Sequence, residues 1–187
     1  MFTIDDLVGR CQAALEESDP RRAMKEVLAR AVSTPSAVAG ALDHDLGQLA
    51  VLHRAPDLTI LNVVWAPHMT LYPHDHRMWA VIAIYAGEED NTFYRRQPQG
   101  LAMSGGKELR DGDVILLGDD TIHSVTNPRS QSTGAIHVYG GDFISQPRSQ
   151  WDPVTHEEQP YDLEQVRREF AQANAAAAAA AASPQGD

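Results

Sequence analysis

Two histidines one residue apart, His74 and His76, sit in a stretch that otherwise has the make-up of a buried strand: Leu71-Tyr72-Pro73-His74-Asp75-His76-Arg77-Met78-Trp79-Ala80-Val81-Ile82. Side chains two apart on an extended strand point to the same side. One strand from His74 to Tyr85, ended by Gly87, thus predicts two imidazoles on one face beside Trp79, Val81, Ile82, Ile84 and Tyr85. An exposed sheet edge has no use for two imidazoles beside so much apolar surface. A metal site on the wall of a β-barrel does.

The chain around this run supports a barrel. Ile4, Leu7, Val8, Cys11 and Leu15 recur at helical spacing behind Thr3, a capping residue, with Asp5 and Asp6 at the positive end. A second helix is expected over Arg21 to Val32, and a short one over Ser36 to Ala41 after the Ser33-Thr34-Pro35 break. From Gln48 the period changes to short strands: Leu49 to His53, Thr59 to Trp65, His74 to Tyr85, Asn91 to Arg96, Asp113 to Leu117 and Ala135 to Tyr139. Pro56-Asp57 marks a turn, and another is expected around Gly105-Gly106. Such spacing predicts an all-β sandwich or barrel. Tyr161 to Ala173 reads as a last helix with Leu163, Val166 and Phe170 on one face. Ala175 to Ala182 is pure alanine, expected as frayed helix running into a disordered tail. The expected organisation is one domain: a helical segment over 1–47, a barrel over 48–160, and a helix with its tail over 161–187.

A third imidazole fixes the chemistry. His123 lies in Gly112-Asp113-Val114 followed by Gly118-Asp119-Asp120-Thr121-Ile122-His123-Ser124-Val125-Thr126-Asn127. HxH followed by glycine (His74, His76, Gly87), then glycine and HxxxN (Gly112, His123, Asn127), resembles the paired motifs of the cupin superfamily. That resemblance implies a double-stranded β-helix, or jelly-roll, barrel carrying N-terminal helices and a C-terminal helix. Two elements depart from the pattern. Leu116-Leu117-Gly118 replaces the family's PxG, and Ala80 and Val81 stand where a glutamate ligand is usual. Three neutral imidazoles leave the charge of a divalent ion uncompensated, which favours an anionic ligand such as a thiolate. Imidazole donors alone do not select among Fe, Zn, Cu and Ni.

Longer blocks narrow the resemblance. His74 to Ile82 with Gly87-Glu88-Glu89, and Ala135-Ile136-His137-Val138-Tyr139-Gly140-Gly141 with Pro147-Arg148, resemble the bacterial thiol dioxygenases of the cysteine dioxygenase family. The 3-mercaptopropionate branch is the nearest in pattern, and the likeness spans about Thr59 to Pro153. It implies that His74, His76 and His123 hold Fe(II) and that a small thiol and O2 give a sulfinate. It also implies that His137 and Tyr139 hydrogen-bond near the oxygen site and that Arg148 pairs with a substrate carboxylate. Ala135 replaces the serine of the family's Ser-x-His-x-Tyr triad, so the serine–histidine hydrogen bond is missing. Val81 replaces the cysteine that mammalian-type enzymes cross-link to the tyrosine, so Tyr139 is expected unmodified. Ala135 keeps open a three-histidine dioxygenase that cleaves a carbon–carbon bond of a non-thiol substrate. A non-catalytic metal-binding cupin is the third reading.

The remaining charged residues read as ordinary surface. Arg77 points away from the ligands, Trp79 packs outside the barrel, and Arg95 and Arg96 mark a strand edge or an interface with no nameable partner. Glu88 and Glu89 read as solvated charge at a turn; His44, His53, His68 and His156 read as exposed. The net charge of -11 argues against nucleic acid and anionic membranes as partners. Cys11 is the only cysteine, which is compatible with a reducing compartment, and the acidic start is unlike a secretory leader. A cytoplasmic location is expected; the sequence leaves the oligomeric state open.

Overall fold

The computed structural model describes residues 2–98 and 100–182. Three helices come first: α1 (Ile4–Leu15), α2 (Pro20–Ala31) and α3 (Pro35–Ala39). Strands follow: β1 (Gln48–Arg54), β2 (Thr59–Trp65), β3 (Thr70–Asp75), β4 (Ala80–Ala86), β5 (Glu88–Gln97), β6 (Gly100–Arg110), β7 (Val114–Leu117), β8 (Ile122–Thr126), β9 (Thr133–Tyr139), β10 (Ser149–Trp151) and β11 (Glu158–Pro160). Helix α4 (Leu163–Ala182) ends the described chain. The local signals act as expected. Thr3 caps α1 by accepting from Asp6 N at 3.2 Å, and Asp19 caps α2 ahead of Pro20 by accepting from Arg22 N at 3.2 Å.

The strands form two antiparallel sheets, a five-stranded one in the order β1-β2-β9-β4-β7 and a six-stranded one in the order β11-β10-β3-β8-β5-β6. Faced together they enclose one barrel core. The three central strands of the five-stranded sheet, β2, β9 and β4, are buried on both faces, which is why β2 and β4 read as apolar runs. Leu61, Val63, Trp65, Ala80, Ile82, Ile84, Ala135 and Tyr139 point into the barrel. Their alternates Ile60, Val81, Ala83, Tyr85, Ile136 and Val138 pack beneath Leu7, Cys11, Met24 and Leu28 of the helices. Trp79 belongs to this outer layer. Its indole lies where a Cβ on Gly140 would be, 2.0 Å away, so only glycine fits directly after Tyr139. Helix α4 closes the other side: Val166 and Phe170 are buried, Phe170 stacks on Trp65 at 5.4 Å, and Asn174 exchanges two hydrogen bonds with Gly47. Burying those two side chains stabilises the docking by about 2 kcal/mol each.

Three expectations change. The predicted strand from His74 to Tyr85 is two strands, β3 and β4, which belong to different sheets. Between them the chain crosses from one sheet to the other through Arg77, whose φ of 54° is left-handed. Gly105-Gly106 is not a turn. Both lie within β6, and the reversal falls between Gln97 and Gly100, which pair across the β5–β6 hairpin. Residues 122–126 form an unforeseen strand, since a segment carrying histidine, serine and threonine has little apolar signal of its own. The alanine run is helical to Ala182, and the predicted tail at 183–187 lies outside the described residues. Among the described residues no helix is long and apolar enough to cross a membrane.

Candidate metal centre

Strand register brings the histidines together. His74 on β3 stands directly opposite His123 on β8, and His76 follows just past the end of β3. The ring centroids lie 4.7 Å apart for His74 and His123, 5.2 Å for His74 and His76, and 5.0 Å for His76 and His123. All three rings are buried, and each can offer one nitrogen within 4.8 Å of the others. Among the described residues this is the grouping with metal-ligand geometry. His74 Nδ1 is bonded to Tyr72 O at 3.0 Å and His123 Nδ1 to Asn91 Oδ1 at 2.7 Å. Carbonyl oxygens only accept, so both Nδ1 atoms carry the proton and both Nε2 lone pairs stay free for a metal. Nε2 of His76 lies 3.3 Å from Nε2 of His123, a separation that suits two ligands of one ion with metal–nitrogen bonds of about 2.1 Å. The donor set therefore fits a divalent metal.

The residue between the ligands, Asp75, faces the other way. Its buried carboxylate accepts from Ser149 N at 2.8 Å and pairs with Arg77 at 2.6 Å and Arg96 at 3.4 Å. Arg77 is thus structural, as expected. Arg96, expected to have no partner, binds Asp75 and Glu158 and lies over Trp151 at 4.8 Å. These contacts pin the crossing that sets His76. The other histidines stay out of the site: His68 is exposed, and His44, His53 and His156 are half-buried rather than fully solvated.

Burial governs the charge state of the ligands. It lowers His74 to about 4, with Arg148 adding to the effect against the Tyr72 hydrogen bond, and it holds His76 and His123 well below their ordinary value. Neutral imidazoles are the metal-binding form. The sign for stability follows: the unfolded chain takes up protons below pH 6.5 while the folded site does not. Stability is full above that pH and falls as pH drops toward 4. Metal-free protein is expected to be less stable at pH 5 than at pH 7, by about 2 kcal/mol from His74 alone. Urea unfolding at the two pH values measures this; equal stabilities would mean that the rings are not buried and neutral.

The five-stranded sheet supplies His137 and Tyr139, and the chain after it Phe143, Arg148 and Tyr161. Tyr139 on β9 meets His76 edge-on at 5.1 Å and stacks on Phe143 at 4.0 Å. Burial pushes its phenol above the ordinary range, so it stays protonated. His137 Nδ1 and the Tyr139 hydroxyl are 3.0 Å apart. Arg148 is buried rather than on the surface. Its guanidinium lies 3.9 Å over Phe143 and 3.8 Å over Tyr161, it donates to Phe143 O and Gln146 O, and its Nε has no partner. Tyr161 in turn reaches His74, at 5.9 Å between rings. The six residues singled out from the sequence thus line one buried region.

Two neighbours were not foreseen. Glu89, read as solvated, is fully buried on β5; it accepts from Trp65 Nε1 at 2.7 Å and Asn91 Nδ2 at 2.9 Å, and its Oε2 lies 3.8 Å from His137 Nε2. Burial raises this carboxyl, but facing His137 and accepting from Asn91 and Trp65 outweigh it and hold the group below its ordinary value. Asn91 is the second. The signal available was period 2: Glu89, Asn91 and Phe93 share the inward face of β5, with Glu88 on the other face beside Arg110 and Arg129. Asn127, by contrast, is structural, donating to Trp65 O, Ala66 O and Gln131 O.

No family model matches the chain. Solved structures similar to it include a cupin family protein with a double-stranded β-helix fold from Methanocaldococcus jannaschii, 13% identical, with 55% of this chain and 86% of that one covered at a TM-score of 0.45. A cupin superfamily protein from Desulfitobacterium hafniense is 16% identical, covering 56% and 88% at 0.45. Oxalate oxidase in complex with the substrate analogue glycolate is 14% identical, covering 52% of each chain at 0.43. About half of the oxalate oxidase chain is spanned. The chain is a β-barrel of two antiparallel sheets with a buried three-histidine cluster suited to a metal ion.

Proposed function

We propose that the protein is an Fe(II)-dependent thiol dioxygenase that adds both atoms of O2 to the sulfur of a small, carboxylate-bearing thiol, RSH + O2 → RSO2H. One observation carries this reading: three neutral imidazoles without a carboxylate ligand, flanked by a buried phenol and a buried guanidinium. His74, His76 and His123 would hold the ferrous ion, which would acidify the thiol and activate oxygen. Tyr139, whose hydroxyl is held by His137 and whose ring stands edge-on to His76, would set the polar environment on that side of the reacting oxygen. Arg148 holds the substrate carboxylate, and its free Nε–H is a donor with no competing partner. Phe143 and Tyr161 exclude water from that pair and set its position. A reducing, cytoplasmic setting suits such a substrate.

Oxygen uptake by anaerobically Fe(II)-loaded protein, measured against 3-mercaptopropionate, cysteine, cysteamine and mercaptosuccinate, tests the reading. The expected result is uptake with a carboxylate-bearing thiol and a product heavier by two oxygens. Confirmed iron with no uptake on any of the four would overturn it and turn attention to non-thiol substrates.

A further inference from the structure

We infer that Glu89 is the positioning residue of this centre: one buried carboxylate sets both the metal-facing nitrogen of His123 and the hydrogen bond between His137 and Tyr139. The inference rests on the three-histidine cluster being a metal centre and is independent of which substrate is used.

Glu89 is fully buried and reaches the site by two arms. On the first, its Oε1 accepts from Asn91 Nδ2 at 2.9 Å. A carboxylate can only accept, so the amide must turn its NH2 toward Glu89 and its oxygen toward His123. That oxygen lies 2.7 Å from His123 Nδ1. The proton of His123 is thereby held on Nδ1, and Nε2 faces His76 and the metal position. A reversed amide would place a donor against Nδ1 and favour the tautomer with Nε2 blocked.

On the second arm, Glu89 Oε2 faces His137 Nε2 at 3.8 Å, longer than a hydrogen bond but close for a buried pair, and that nitrogen has no other partner. The carboxylate favours the proton on Nε2 of His137. Nδ1 is then the acceptor at 3.0 Å for the Tyr139 hydroxyl, which fixes where the phenol proton points. Trp65 Nε1 donates to the same Oε2 at 2.7 Å and anchors the carboxylate. Ala135 lies on the same strand face as His137 and has no polar atom to offer it, so the histidine takes its orientation from β5 instead. Sequence separation hides this arrangement: Glu89 and His137 are on different sheets.

The test uses the full chain loaded with Zn(II), which is diamagnetic. Glu89→Gln keeps the size of the side chain and removes the charge. It is expected to weaken Zn(II) binding by about 10–100-fold in a competition titration. Long-range 1H–15N spectra should show the Nε2–H signature of His137 lost. Asn91→Ala cuts only the first arm, so it should weaken Zn(II) binding and leave the His137 signature intact. The metal-free protein gives the His137 readout even if Zn(II) does not bind, so the two readings fail separately. Wild-type Zn(II) affinity together with an unchanged His137 signature in Glu89→Gln would overturn the inference and leave Glu89 as no more than a buried acceptor for Trp65 and Asn91. If Glu89→Gln does not fold, wild-type Zn(II) affinity in Asn91→Ala overturns the His123 arm. An Nδ1–H signature for His137 in the wild-type protein overturns the Tyr139 arm.

Discussion

Replacing His123 with alanine is expected to abolish stoichiometric metal binding and, with it, the proposed thiol oxidation. The ring stands opposite His74 across the β3–β8 ladder, and its Nε2 is 3.3 Å from that of His76. Without it two imidazoles remain, both on the chain around the β3 end, and water must complete the coordination. Loss of a group that merely orients a ligand lowers metal affinity about 10–100-fold, so loss of the ligand itself should exceed ~100-fold. The fold should survive. His123 contributes one ring to a barrel whose apolar layers lie elsewhere, and its removal leaves a small void beside Phe93, which stacks on it at 6.5 Å. Bound iron and a Co(II) titration report affinity, and circular dichroism reports the fold. Normal iron content and activity in a folded His123→Ala protein would overturn the assignment of the centre.

The ligands were legible because their spacing is local: His74 and His76 are two apart, and His123 and Asn127 complete a short pattern. The burial of β2 was legible for the same reason, as a run of apolar and β-branched residues. What escaped was set by tertiary contact. The His74–Tyr85 run looks like one strand because nothing in its composition marks the crossing at Arg77, which depends on Asp75 finding Arg77, Arg96 and Ser149 N. Glu89 looks solvated because an acid after Gly87-Glu88 is usually at a turn. Only the alternation along β5, together with donors from Trp65 and Asn91, shows that it faces inward. Ala135 was visible as a missing serine, but which group faces His137 in its place depends on how the two sheets close. The clustered histidines were therefore readable from spacing, whereas Glu89 and Asn91, which reach His137 and His123 only through the closed barrel, were not.

Arg148→Lys is expected to separate carboxylate recognition from the rest of the reaction. The guanidinium is clamped between two aromatic faces, with Nη1 donating to Phe143 O and Gln146 O while Nε remains free. A lysine keeps the charge but is a single point donor. It cannot stack between Phe143 and Tyr161, hold the loop carbonyls and meet a carboxylate at once. Truncating one partner of a buried charge pair costs about 2–5 kcal/mol, so kcat/KM for a carboxylate-bearing thiol should fall at least ~30-fold, mostly in KM. Cysteamine, which has no carboxylate, supplies the control. If Arg148 only held Phe143 and Tyr161 in place, substitution would disturb the centre for every thiol and both substrates would lose alike. If it binds the carboxylate, the ratio of the two kcat/KM values should shift by an order of magnitude or more, with metal affinity unchanged. Equal losses for 3-mercaptopropionate and cysteamine would reduce Arg148 to a structural clamp and place the source of substrate selectivity elsewhere in the barrel.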